Sequence, residues 1–224
     1  NIVLVHGYFA DGSGWKAVSN ILTRDGYKVS VVQEPETSFE DDVSATTRVI
    51  DMQDGPSILV GHSYGGAVVS QAGNDDKVVG LVYVAAFQPD TGESAMAVNS
   101  KMPAATKAIK GTADGYLYVD PANFHADFAA DLPAETANFM AISQVMPVAN
   151  SFGAPITKAA WRTKPSWAIV STEDRMINPD LERFMTKRAG SKTIEIKASH
   201  AVYISHAAEV AELIEEAASS FNKQ

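Results

Sequence analysis

The hexapeptide Gly61-His62-Ser63-Tyr64-Gly65-Gly66 sets a hydroxyl between two glycines at the spacing of a nucleophile on a tight turn. The apolar run 57–60 precedes it and reads as a buried strand; residues 64–72 follow it and read as a helix. A Ser on so sharp a strand-to-helix turn takes a strained backbone with positive φ, so the residues two before and two after must be small. Its hydroxyl then stands off the C-terminal edge of the sheet, over a helix N-terminus that favours developing negative charge. With 15 Gly and 19 Ser in 224 residues, roughly 0.08 matches to Gly-x-Ser-x-Gly arise by chance. The pattern therefore points to acyl transfer through a covalent intermediate.

Ser is a weak nucleophile alone and needs a base within hydrogen-bond reach, oriented in turn by an acid. On such an elbow the acid and the His follow the Ser in the chain, in that order. Of five His, His6 and His62 precede Ser63, and His125 falls in a central, Pro-punctuated region. His200 lies in a loop just past the strand 193–196, where it can reach the sheet edge; His206 opens the last helix and points elsewhere. The acid should follow the preceding strand, which ends near Ser171. Glu173 and Asp174 both qualify, and the local sequence does not separate them. Backbone N–H groups of Tyr64 and Tyr8 are the expected oxyanion donors, with Gly7 letting the loop turn toward the site. His6 reads as a buried, hydrogen-bonded structural residue.

Gly12-Ser13-Gly14-Trp15-Lys16-Ala17 matches a dinucleotide fingerprint, with Glu34 placed 20 residues after Gly14. The match starts six residues beyond His6, however, and not at the strand end, and no Tyr-x-x-x-Lys pair accompanies it. No cofactor is expected. Without Cys or close His/carboxylate spacing, no metal is expected either.

These residues need a scaffold. Strands at 2–5, 27–32, 57–60 and 78–84 alternate with helices at 15–24, 41–52 and 64–72, and the alternation resumes with strands at 167–170 and 193–196 and helices at 179–188 and 207–221. Such alternation implies right-handed βαβ units and a parallel sheet. The expected fold is α/β, a mostly parallel sheet of about six strands with helices on both faces and a helical cap inserted. Residues 1–88 and 165–224 would form the core and 89–164 the cap, where prolines punctuate Ala-rich helical stretches and no strand alternation shows. The net charge of −9 argues against a binder of nucleic acid or anionic membranes, which needs a basic face, and no apolar run reaches the roughly 18 residues of a membrane span. A monomer or homodimer in the cytoplasm is the expectation. The chain opens without Met, which leaves a secreted or periplasmic place open.

Taken together, the chain resembles the α/β-hydrolase family in its small, cofactor-free bacterial esterase branch, and more distantly the plant methylesterases and hydroxynitrile lyases. The matching pieces are Val5-His6-Gly7, Asp11-Gly12-Ser13-Gly14-Trp15, Val60-Gly61-His62-Ser63-Tyr64-Gly65-Gly66, Thr172-Glu173-Asp174-Arg175 with Asn178-Pro179, and Ser199-His200-Ala201-Val202. The resemblance implies Asp174 as the acid, because in that family the acid directly precedes an Arg-like position. It also implies a helical cap across 89–164. The pair Tyr8-Phe9 departs from the smaller residues of the family, and its two rings would narrow the pocket. The expected activity is hydrolysis of small carboxylic esters by Ser63, His200 and Asp174, with Phe9, Met96, Phe124, Phe128, Phe139 and Met140 as candidate pocket residues. Alternatives are C–C lyase chemistry of the hydroxynitrile-lyase type, a non-catalytic small-molecule receptor, and amidase, lactonase or thioesterase activity of the same residues.

Overall fold

A computed structural model of the chain describes residues 1–221; residues 222–224, assigned to the core from sequence, lie outside the described residues. Six strands form one parallel sheet: β1 (Ile2–Val5), β2 (Val29–Val31), β3 (Ser57–Ser63), β4 (Val78–Ala86), and then, after the insertion, β7 (Ser166–Ser171) and β8 (Lys192–Ile196). Their order is β2-β1-β3-β4-β7-β8, so the elbow-bearing β3 is central. The central strands are buried on both faces, which is why they read as continuous apolar runs. Successive side chains alternate between two cores: Val3 and Val5 face one, Ile2 and Leu4 the other.

Helices α1 (Lys16–Arg24) and α9 (Ala207–Ser219) cover one face, bringing Val18, Leu22, Val210 and Ile214 onto Ile2, Leu4 and Val60. Helices α2 (Phe39–Asp51), α3 (Gly65–Ala72) and α7 (Pro179–Ala189) cover the other through Phe39, Ile50, Val68, Leu181 and Met185. Local chemistry sets their ends. Ser38 Oγ accepts from the N–H of Asp41 at the start of α2. Asn178 caps α7, Pro179 opens it, and Gly190 closes it at φ 68°. Helix α1 begins one residue later than the sequence suggests, because Gly12–Trp15 forms a 3-10 turn capped by Asp11.

The segment between β4 and β7 holds α4 (Ala95–Asn99), α5 (Pro121–Phe128) and α6 (Ala134–Ile142). It also holds an antiparallel pair, β5 (Ile109–Gly111) and β6 (Leu117–Val119). This pair corrects the reading of a strand-free insertion: three-residue strands around a turn with Gly115 at φ 92° are too short to show an alternating pattern. Phe124, Phe128 and Ala137 pack this segment onto the α2/α3/α7 side of the sheet. A short helix, α8 (Val202–Ser205), follows His200. Among the described residues no helix is long and apolar enough to cross a membrane.

Just past β2 the core contains an unusual group. Glu34, Glu36 and Asp42 are all buried, and no carboxylate oxygen of Glu34 or Glu36 has a hydrogen-bond partner among the described residues. Burial, and then the charge of Asp42, raise both glutamates, Glu36 to about 10. Asp42 is raised to about 6, again by burial, although it accepts from the N–H of Glu36 (2.7 Å) and from the hydroxyl of Tyr64 (2.9 Å). Glu36 is thus folded in its neutral form. Its folded pKa lies above the unfolded value, so its contribution to stability is intact below about pH 4.5 and declines as pH rises toward 10. Glu36→Gln fixes the neutral form. In thermal melts the variant should match the wild type near pH 4 and gain at least about 1.4 kcal/mol at pH 8, roughly 2–4 °C per kcal/mol. A variant less stable than the wild type at pH 8 would contradict this.

Candidate active site

Ser63 ends β3 at φ 54°, a left-handed conformation that an L-residue keeps only when its surroundings hold it. Those surroundings are backbone. A Cβ on Gly61 would lie 2.6 Å from the carbonyl oxygen of Gly65, and one on Gly65 would lie 2.4 Å from that of His6. Any side chain at either place would force the turn open. A Cβ on Gly7 would lie 2.6 Å from the Cβ of Ser63 and 3.1 Å from the nitrogen of Tyr64. The β1 loop therefore lies directly against the elbow.

Three residues far apart in sequence meet there. His200 Nε2 lies 2.8 Å from Ser63 Oγ, and His200 Nδ1 lies 2.6 Å from Asp174 Oδ2. Asp174 follows β7 and His200 follows β8, so the sheet edge itself gathers them. Asp174 Oδ1 accepts from the N–H groups of Met176 (2.7 Å) and Ile177 (2.9 Å), which fixes the carboxylate. All three residues are buried. Glu173, the competing acid, stays at the surface 3.6 Å from Lys197, while Arg175 pairs with Asp127 at 2.7 Å. His206 pairs with Glu209, and His125 bonds the carbonyl of Leu132 in the insertion.

The two tyrosines flank the elbow with their rings stacked at 3.9 Å. Their phenols are committed elsewhere, Tyr64 to Asp42 and Tyr8 to Ser151, and burial raises both above the usual range. Among the described residues neither backbone N–H has an acceptor within the protein. A cavity of about 70 Å³ opens against Ser63 and His200, lined also by Tyr8, Phe9, Phe87, Asn99, Phe152 and Met176. A larger cleft of about 570 Å³ lies between α6 and the start of α1, and neither Ser63 nor His200 borders it. Phe9, at φ 65°, borders both spaces.

Of the six residues expected to line the pocket, only Phe9 reaches the cavity at Ser63. Phe124 and Phe128 are fully buried and stacked on each other at 4.7 Å, and the rings of Phe128 and His200 meet in a T shape at 4.8 Å. Met140 and Phe139 line the outer cleft, and Met96 is exposed beside Gly153. Apolarity alone marked these residues, and it does not distinguish packing from lining.

Two neighbours of the relay carry no sequence signal of their role. His62 donates from Nε2 to the carbonyl of His200 at 2.9 Å, and its ring lies 4.6 Å from that of His200. Burial holds it well below the ordinary His range, in its neutral form. Glu182, buried behind Asp174, accepts from the N–H of Ser171 (3.2 Å) and is driven up by burial and by the charge of Asp174.

His6, Glu34 and Glu36 bring one ligand-type atom each within 4.8 Å of one another, a grouping that sequence spacing conceals. The imidazole is already committed at both nitrogens. Nε2 accepts from the N–H of Glu34 (3.0 Å), so the proton sits on Nδ1, 3.1 Å from the carbonyl of Gly7. A metal at Nδ1 would require an imidazolate. His6 therefore serves as a structural strut between β1 and the strand-β2 loop.

The sequence pattern described as "Alpha/beta hydrolase family" matches residues 2–213. A carbendazim hydrolyzing esterase of Nocardioides sp. (strain SG-4G) is 30% identical over 157 residues, an alignment that spans 63% of this chain and 63% of that protein. A pyrethroid hydrolase of Sphingobium wenxiniae is 28% identical, over 96% of this chain and 86% of that protein. In fold, the solved pyrethroid hydrolase from Sphingobium faniae superposes with a TM-score of 0.84 at 23% identity, covering 100% of this chain and 98% of that one. A methylesterase from Arabidopsis does so with a TM-score of 0.83 at 16% identity, covering 98% and 99%.

The His62–His200 contact makes a direct prediction. His62→Leu leaves the His200 carbonyl without its buried donor and should cost about 1–3 kcal/mol, whereas His62→Gln, which keeps an N–H, should lose less. Chemical denaturation reads both, and a His62→Leu protein as stable as the wild type would show the bond to be dispensable. From the extent of the matched pattern, the chain belongs to the alpha/beta hydrolase family.

Proposed function

We propose that the chain is a carboxylesterase-type serine hydrolase that cleaves small carboxylic esters through an acyl-enzyme. The observation that carries this reading is the continuous relay from Ser63 Oγ through His200 to Asp174, at 2.8 and 2.6 Å, beside a cavity. His200 Nε2 takes the Ser63 proton as Oγ attacks the ester carbonyl. Asp174 holds Nδ1–H and stabilises the imidazolium. The N–H groups of Tyr8 and Tyr64 receive the oxyanion, where fixed donors in a dry site act most strongly. The imidazolium returns its proton to the departing alkoxide, and the alcohol leaves. Water then gives a proton to His200 and attacks the acyl carbon, and Ser63 recovers its proton as the carboxylic acid departs. Residues 89–164 act as a cap that closes the cavity over Ser63 through Asn99, Ala104, Ile109 and Phe152.

The two named relatives support ester cleavage as the reaction class. Lyase chemistry of the hydroxynitrile type would be helped by a Lys at the site, and no Lys lines the cavity among the described residues. Ser63→Ala and His200→Ala should each lower kcat on 4-nitrophenyl acetate at least about 1000-fold, and Asp174→Asn by about 10³–10⁴. Glu173→Gln should change it by less than about twofold. Full turnover by Ser63→Ala, with the protein folded, would exclude the assignment.

A further inference from the structure

The cavity at Ser63 is lined mostly by apolar and aromatic side chains, with one carboxamide among them, that of Asn99. Asn99 is the last residue of α4, a short helix that Ser94 caps by accepting from the N–H of Ala97 (3.0 Å) and that fully buried Val98 anchors. The backbone that carries the amide is therefore fixed. Its oxygen, Asn99 Oδ1, is buried and has no hydrogen-bond partner among the described residues. Buried amide oxygens in folded proteins are almost always satisfied, and this one belongs to a residue that lines the cavity, so it asks for a donor from outside. Ser63 and His200 cannot supply it, because their hydrogen bonds are to each other and to Asp174. The phenols of Tyr8 and Tyr64 are likewise committed.

We propose that Asn99 is a specificity residue that accepts a hydrogen bond from an O–H or N–H group carried next to the scissile carbonyl. The substrates so selected are small esters bearing such a donor, for example 2-hydroxy esters, in preference to purely aliphatic ones. This rests on the esterase reading and deepens it. The cavity is small, about 70 Å³, which keeps a substituent beside the carbonyl close to its walls. A site built to meet a hydroxyl rejects the analogue that lacks it, because its own polar group is then left unpaired.

The test uses two esters of nearly equal shape, methyl 2-hydroxypropanoate and methyl 2-methylpropanoate, in which a hydroxyl replaces a methyl. The wild type should favour the hydroxy ester in kcat/KM by about tenfold or more. Asn99→Leu should bring the ratio to about one, lowering the hydroxy ester and sparing or raising the aliphatic one. Asn99→Ala, smaller and safer for folding, should also erase the preference, and Asn99→Asp, which keeps an acceptor, should retain part of it. A general structural effect would lower both esters together and leave the ratio in place, and that result overturns the proposal. Equal turnover of both esters by the wild type overturns it alone. A wild type that hydrolyses neither of them, nor 4-nitrophenyl acetate, overturns it together with the esterase reading.

Discussion

The chemistry depends on holding one residue in a conformation it would not choose. Ser63 sits at φ 54°, a left-handed position that costs an L-residue on the order of 1–3 kcal/mol. Nothing within the residue repays that cost. The opposing stabilisation comes from the burial of β3 between two cores and from close backbone approach at Gly61, Gly65 and Gly7. The same crowding brings the β1 loop alongside the elbow, so one constraint positions both the nucleophile and that loop.

Beside the relay, burial favours the neutral form of two neighbouring groups. His62 is held neutral and donates to the backbone of His200, and Glu182 is held neutral behind Asp174. The carboxylate of Asp174 is gripped by two backbone N–H groups as well as by His200. Directed hydrogen bonds in a dry site resist rotation of the imidazole, and that is what proton transfer along a fixed line requires.

Much of this was legible in the sequence because the elbow writes itself as a local pattern. Gly61-His62-Ser63-Tyr64-Gly65 fixes strand, turn and helix within a few residues, and the strand ends at Ser171 and Ile196 placed Asp174 and His200 within reach of it. Choosing Asp174 over Glu173 needed the family pattern, since both are carboxylates in one loop and only the fold turns one inward. What escaped were features made by distant contacts. The β5–β6 pair is too short to show a period, and the walls of the cavity are chosen by how the insertion lies on the core. Phe124 and Phe128 are as apolar as any pocket residue and pack inside instead. The buried set of Glu34, Glu36 and Asp42 ran against expectation altogether, because carboxylates normally mark a surface.

The central claim is that an acyl group passes through the oxygen of residue 63. Mixing the enzyme rapidly with excess 4-nitrophenyl ester, quenching in acid and mapping the mass of the modified peptide tests this directly. The account predicts a burst of nitrophenol close to one per active site whenever deacylation is the slower step, with the acyl mass on the peptide containing Ser63. Steady turnover with the acyl mass found on another residue would contradict it.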